Sequence, residues 1–298
     1  MLQVLVDVLV PVFAVVAIGF GLSRWIGIEP TALATLSYWA LGPAFIFDVL
    51  ATAELAPEIV VKVVAASAVV MTIAGAIAAV AMRVIGSSFS EVAASVLTST
   101  YGNTGNFGLA ISVFAVGQAA LPIASIVMVT VNTLGILTGI GLASIRGGSL
   151  PRAAVTAVSS PLALAVIPAL LVNVTDADLP IWLDRPISLL AGALIPVMLL
   201  TLGIQLAGMP RALPSLRIGI PITVKLLLAP AIAATAAAIF DLGGAPGDIV
   251  VLQAAMPAAV FTSLIAIEHQ LEADYVTSVV LLGTLASAAT LPVVITLL

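Results

Sequence analysis

The residues of this chain best equipped for chemistry are amides, glycines and one lysine, and they interrupt stretches that are otherwise apolar. Thr98 to Asn106 reads TSTYGNTGN, and Asn132, Lys225, Gln253, Thr262 and Ser263 are further polar side chains within apolar runs. An asparagine amide offers donor and acceptor together, a glycine lets backbone approach a ligand closely, and a lysine brings a positive charge. Such groups bind; they do not form a nucleophile–base pair. The 298 residues contain no cysteine and a single histidine, His269, which removes disulfides, iron–sulfur clusters, thiolate zinc sites and every motif that needs two histidines. An intramembrane protease would need a buried Ser–His pair or two aspartates at matching depth. A lipid-modifying enzyme built on Asp176 and Asp178 with a metal would lack a basic cluster for pyrophosphate. The chain is therefore read as a non-enzyme, with no cofactor and no metal.

The elements that position these residues are membrane helices. Of the chain, 62% is hydrophobic and 8% charged, against roughly 25% charged in soluble domains. At about 20 apolar residues per helix, ten spans use most of the chain and leave no soluble domain. A β-barrel is excluded because its strands alternate apolar with polar residues, whereas Val63 to Met82 is apolar almost all round. The net charge of −5 and the absence of a basic cluster exclude nucleic acid as a partner; the lipid bilayer is the partner. The opening MLQVLVDVLV lacks a basic n-region and a cleavage site, so it reads as a retained first helix.

The predicted spans are 4–22, 31–50, 59–82, 88–115, 121–143, 152–173, 185–206, 215–239, 247–267 and 275–297. Ser88 to Glu91 has the form of a capping box that starts the fourth. The polar stretch that follows would place irregular backbone in hydrocarbon, where it survives only if protein or a watery cavity satisfies its N–H and C=O groups. It must therefore line something. Arg24, Arg83, Arg146, Arg152, Arg211 and Arg217 fall in loops on one side, and Glu54, Glu58, Asp176, Asp178, Asp184, Asp241 and Asp248 on the other, with Lys62 and Arg185 as its only nearby bases. The positive-inside rule makes the arginine side cytoplasmic and both termini extracytoplasmic. The acidic loop of Glu268, His269, Glu272 and Asp274 would share the arginine side, but the rule counts only Lys and Arg.

Pro43 and Pro196 are separated by the same interval as Asn103 and Met256, which adjoins Pro257. This suggests a first repeat over 1–146 and a second over 147–298. An odd number of spans per repeat inverts one half relative to the other, as in secondary transporters, where broken helices face each other near the midplane. The expected fold is an all-α integral membrane protein of ten transmembrane helices, two inverted five-helix repeats with broken, crossing helices four and nine. Opposed breaks favour alternating access over a channel.

The run YGNTGNFGLAI at 101–111 resembles the Asn-x-Gly signature of the auxin efflux carrier family, which includes plant PIN-formed exporters and bacterial carriers for malonate or malate. The stretch from Leu252 to Val293 is similar to the family's ninth and tenth helices, and LLTLGIQLAG at 199–208 and KLLLAP at 225–230 match shorter stretches. The sequence departs from the pattern at Ala110, where family members usually have proline, so that Gly105 and Gly108 would supply the flexibility. The resemblance implies an elevator-type carrier in the plasma membrane, with spans one, two, six and seven as a scaffold that holds a homodimer.

Physically, each break exposes the unpaired N–H groups and positive dipole end of a half-helix, which attract an anion such as a small carboxylate. The candidate substrate-binding residues are Asn103, Gly105, Asn106, Asn132, Pro257 and Thr262. Asn103 and Asn106 also suit half-helix caps, Asn132 an interhelical hydrogen bond, and Thr262 a bond back to its own helix. Lys225, near mid-depth of span eight, either pairs with carbonyl ends of the broken helices or compensates substrate charge. The alternative is a sodium-coupled bile-acid-type symporter with a similar repeat; against it, Ala254 to Ala259 offers no carboxylate to hold sodium. Malonate, malate, other small carboxylates and indole-type acids all fit a site made of dipoles and amides.

Overall fold

A computed structural model describes residues 1–144, 150–210, 212–269 and 271–298. The expected boundary between the halves, at 146 and 147, lies outside the described residues, as do Arg146 and Arg211. The described secondary structure is helical apart from one two-residue bridge. Seven helices are long and apolar enough to cross a membrane: α1 (Leu2–Ile26), α2 (Pro30–Ala51), α3 (Pro57–Val84), α6 (Gln118–Leu142), α9 (Ile181–Gly208), α10 (Leu216–Ile239) and α13 (Ala273–Leu297). The other three predicted spans are each divided. The fourth becomes α4 (Phe89–Thr100) and α5 (Thr104–Val116), and the ninth α11 (Ala245–Ala254) and α12 (Phe261–Glu268).

The sixth, expected as one span over 152–173, is α7 (Leu150–Val158) and α8 (Pro161–Thr175). Hydropathy is blind to this break because Ser159-Ser160-Pro161 is short. The Ser160 hydroxyl accepts from the Ala163 N–H at 3.3 Å, and Pro161 occupies the first turn, where a missing N–H costs nothing, so a new helix starts there. The capping box at the start of α4 is present as expected: Ser88 Oγ accepts from the Glu91 N–H, and Glu91 Oε2 accepts from the Ser88 N–H.

Prolines shape three of the long helices in the same way. Leu5–Leu9, Ser37–Leu41 and Val224–Leu228 are wide, π-helical turns, and each ends two residues before a proline: Pro11, Pro43 and Pro230. Proline removes one N–H and its ring crowds the carbonyl four residues back; an extra residue in the turn relieves both. Each of these turns carries a polar or charged side chain: Asp7, Ser37 and Lys225.

Two packed groups result. In one, α9 lies against α1 and α2, and α8 against α2. Gly19 and Gly203 let α1 and α9 touch backbone to backbone: a Cβ on Gly203 would collide with the Val16 carbonyl oxygen, and one on Gly19 with that of Leu200. Small residues serve this purpose in lipid, where helices gain little by burying apolar surface and must gain from close contact. Asn173 Nδ2 donates to the carbonyls of Ala51 and Ala53, fastening α8 to the end of α2. In the other group α3 packs on α4, α6 and α10, and α10 on α11. Large apolar side chains such as Trp25, Val174 and Trp182 are exposed at the periphery, where lipid would cover them.

Candidate functional site

The two interrupted helices meet at their interruptions. The Asn103 N–H donates to the Pro257 carbonyl at 2.7 Å and the Ala259 N–H to the Tyr101 carbonyl at 2.9 Å, an antiparallel bridge centred on Gly102 and Ala258. Each break thus satisfies backbone groups that the other leaves open, which is how irregular chain is tolerated at this depth. The first break is narrower than the sequence suggested. Helix resumes at Thr104 as a π turn to Leu109, closed by the Gly108 N–H on the Asn103 carbonyl at 2.9 Å, so Gly105 and Asn106 belong to the first turn of α5.

A cavity of about 360 Å³ opens against this crossing. It is lined by Tyr101 to Asn106 and Ala259 to Phe261 of the crossing, Met128 and Asn132 of α6, Ser37, Tyr38 and Gly42 of α2, and Leu194, Met198, Thr201 and Gln205 of α9. None of the described residues lining it is charged. Asn103 is 3% exposed and its Nδ2 has no protein partner. The Tyr101 hydroxyl donates to Asn132 Oδ1 at 2.5 Å, leaving Asn132 Nδ2 without a partner. The Tyr101 ring meets Phe261 edge-on at 5.9 Å. Ser37 Oγ of α2 and Gln205 Oε1 of α9 are also buried and unpartnered. Buried polar atoms left unpaired around one cavity are uncommon in folded proteins and ask for an explanation.

On the far side of the crossing the side-chain donors are engaged, while the acceptor Gln253 Oε1 is buried without a partner. Lys225 is 5% exposed, and its Nζ donates to the Ala254 carbonyl, the last of α11, at 3.1 Å. Its end rests on Gly102, where a Cβ would lie 2.8 Å from Nζ. Gln253 is fully buried and donates through Nε2 to Ser112 Oγ at 3.1 Å. A Cβ on Gly108 would collide with Gln253 Oε1. Gly108 is therefore held by close packing, and neither it nor Gly105 has the positive φ that only glycine adopts easily. At Gly105 the neighbours are the flexible ends of Met128 and Met198, each 3.2 Å from where a Cβ would lie.

The profile of a family described as "Membrane transport protein" matches residues 148–295. The chain is 30% identical over 202 residues, 64% of its length, to a "Putative malonate transporter" of Rhizobium meliloti (strain 1021). It is 28% identical over 155 residues, 52% of its length, to an "Uncharacterized transporter" of Methanothermobacter thermautotrophicus. The chain belongs to the auxin efflux carrier family. The matched regions span 62% and 51% of those relatives' own lengths. With its apolar helices this family member is a multi-pass membrane protein.

Of the residues singled out in this family member's sequence, Asn103, Gly105, Asn106 and Asn132 come together on the cavity wall. Pro257, Thr262 and Lys225 do not line it. Pro257 contributes its carbonyl to the bridge, and Thr262 Oγ1 donates back to the Ala259 carbonyl at 2.6 Å. Sequence reasoning missed Ser37, Thr201 and Gln205. A signal existed for two of them: Thr201 and Gln205 are four apart, hence on one helix face, within the 199–208 stretch noted for its resemblance alone. For Ser37 the only hint is Pro43, two residues beyond the wide turn that carries it.

Proposed function

We propose that the protein is a secondary carrier that moves a small organic anion, a carboxylate, across the plasma membrane by elevator-type alternating access. The observation that carries this reading is the bridge between the two breaks at the wall of a cavity with unpartnered amides. The first turns of α5 and α12 border that cavity, and a helix start turns a positive dipole end to an anion even where, as at Thr262 and Ser263, the N–H groups are already bonded to the Ala259 and Val260 carbonyls. The relative described as a malonate transporter supports the same class of substrate. In this reading the chain forms ten spans in two inverted halves, and the group of α1, α2, α8 and α9 is the scaffold through which two copies pair. The group with the crossing moves, and Asn103, Gly105, Asn106 and Asn132 hold the substrate, with Pro257 and Thr262 shaping the second break.

Purified protein should show a raised Tm with some members of a panel of mono- and dicarboxylic acids, because a ligand that binds only the folded state stabilises it by mass action. If no acid in a broad panel does so, the carboxylate reading fails. Uptake into proteoliposomes under a clamped potassium potential, with sodium replaced by choline, should persist; a sodium requirement would favour the symporter.

Orientation has its own test. With no native cysteine in the chain, exposed Glu29 and Asp178 are clean sites for Glu29→Cys and Asp178→Cys. In intact cells an impermeant thiol reagent should label only the second. The cavity reaches Pro30 and Thr31 at the start of α2, close in sequence to Arg24, so in this assignment it faces the cytoplasm.

A further inference from the structure

We infer that the crossing accommodates one negative charge, so that the site takes monocarboxylates or singly protonated dicarboxylates, with the neutral far end of the substrate against Ser37 and Gln205. This rests on the carrier reading above and narrows its substrate class. Four half-helix ends meet at the crossing, and each carries about half an elementary charge, positive at a helix start and negative at a helix end. The ends of α4 and α11 are the negative pair. Lys225 lies between them, bonded to the Ala254 carbonyl and resting on Gly102, two residues past the last residue of α4. Its single positive charge therefore balances the two helix ends and is not free for a ligand.

Charged side chains on the helices around Lys225 sit toward the ends of those helices. They are Glu58 paired with Lys62, and Arg83, on α3; Glu91 of α4 paired with Arg217 of α10; Asp248 on α11; and Asp274 on α13. What remains is the pair of helix starts, α5 and α12, which together present about one positive charge to the cavity. Asn103, buried with an unpartnered Nδ2 on the same wall, independently calls for a ligand acceptor there.

A second carboxylate would meet no compensation. No described lining residue is charged; of the buried, unpartnered atoms on α2 and α9, Gln205 Oε1 only accepts, and the Ser37 hydroxyl can give one neutral hydrogen bond, which does not balance a full charge. A hydroxyl, an amide or a protonated carboxyl satisfies an acceptor; a carboxylate is repelled by it. Dicarboxylates therefore enter carrying a proton.

Equilibrium binding to the purified protein from pH 5 to pH 8 tests this with matched pairs: malonate and malonamate, succinate and succinamate, glutarate and glutaramate. For a pair that binds, the dicarboxylate's apparent affinity should fall about tenfold per pH unit above its second ionisation, while the monoamide's stays level. Gln205→Lys should flatten the dicarboxylate's profile by accepting the dianion, a gain that a damaged fold would not produce. The inference is overturned if dicarboxylate affinity is level across the second ionisation and the monoamide binds at least tenfold more weakly. A profile unchanged in Gln205→Lys overturns the placement of the far end. Stabilisation by other acids with no pair binding overturns this inference and leaves the carrier reading standing; no stabilisation by any acid overturns the carrier reading itself.

Discussion

On the cavity face of the crossing, Asn103 and Asn132 keep amide nitrogens without a protein partner, whereas on the opposite face the donors are used, Lys225 on the Ala254 carbonyl and Gln253 Nε2 on Ser112, and the unpartnered atom is an acceptor, Gln253 Oε1. Both faces are made by the same two breaks. A break always leaves one helix end and one helix start, so closing two of them together leaves two negative and two positive termini within a few residues. The protein meets the negative pair with its own lysine and leaves the positive pair beside an uncharged cavity. One face thus completes the fold, and the other stays open to whatever enters.

The sharpest way to break this comparison is Asn103→Ala. If the cavity face holds a carboxylate, the variant loses a hydrogen bond to a charged group, worth about 1.5–3 kcal/mol. Ligand affinity should then fall on the order of a hundredfold with little change in the Tm of the ligand-free protein. Unchanged affinity would mean that the face is not the site.

Lys225→Met should come next. Removing this charge leaves the two negative helix ends uncompensated beside the site, so anion affinity should drop on the order of tenfold at fixed pH. Lys225→Arg, which keeps the charge, should recover most of that loss if it inserts and folds. Equal losses in the two variants would show that the shape of the lysine matters and its charge does not.

Gly108→Ala probes the engaged face through stability. Gln253 is fully buried and tied to Ser112, so the added methyl cannot push it aside freely. Overpacking of this kind costs about 1–3 kcal/mol, visible as a lowered Tm. Gly105→Ala, beside two flexible methionine ends, should be close to neutral for folding, and the contrast between the two glycines is the measurement. The smallest effect belongs to Thr262→Val, which removes a hydroxyl that only returns to its own helix at Ala259. It should change stability by under about 1 kcal/mol and affinity not at all.

The membrane body, the place of both breaks and four of the cavity residues could be read from the chain alone. Hydropathy is summed residue by residue, and TSTYGNTGN inside an apolar run is irregular whatever surrounds it. Asn103, Gly105, Asn106 and Asn132 were therefore visible as polar or flexible residues at membrane depth. The wide turns before Pro11, Pro43 and Pro230 have a local cause in the missing N–H and the crowded carbonyl, but Pro168, Pro196 and Pro292 sit inside helices without such a turn, so proline alone does not fix where one forms.

Tertiary structure alone decided which of these residues face the cavity and what stands opposite them. Lys225 had two readings in the sequence because a buried ammonium seeks either a carbonyl or an anion. Only the packing of α10 against the end of α11 brings the Ala254 carbonyl within 3.1 Å of it. Gln205 and Ser37 gained their place on the same cavity as Asn103 in the same way, from the packing of helices that are far apart along the chain. Spacing along one helix specifies which side chains share a face, but it carries no information about which face of another helix will be set against it.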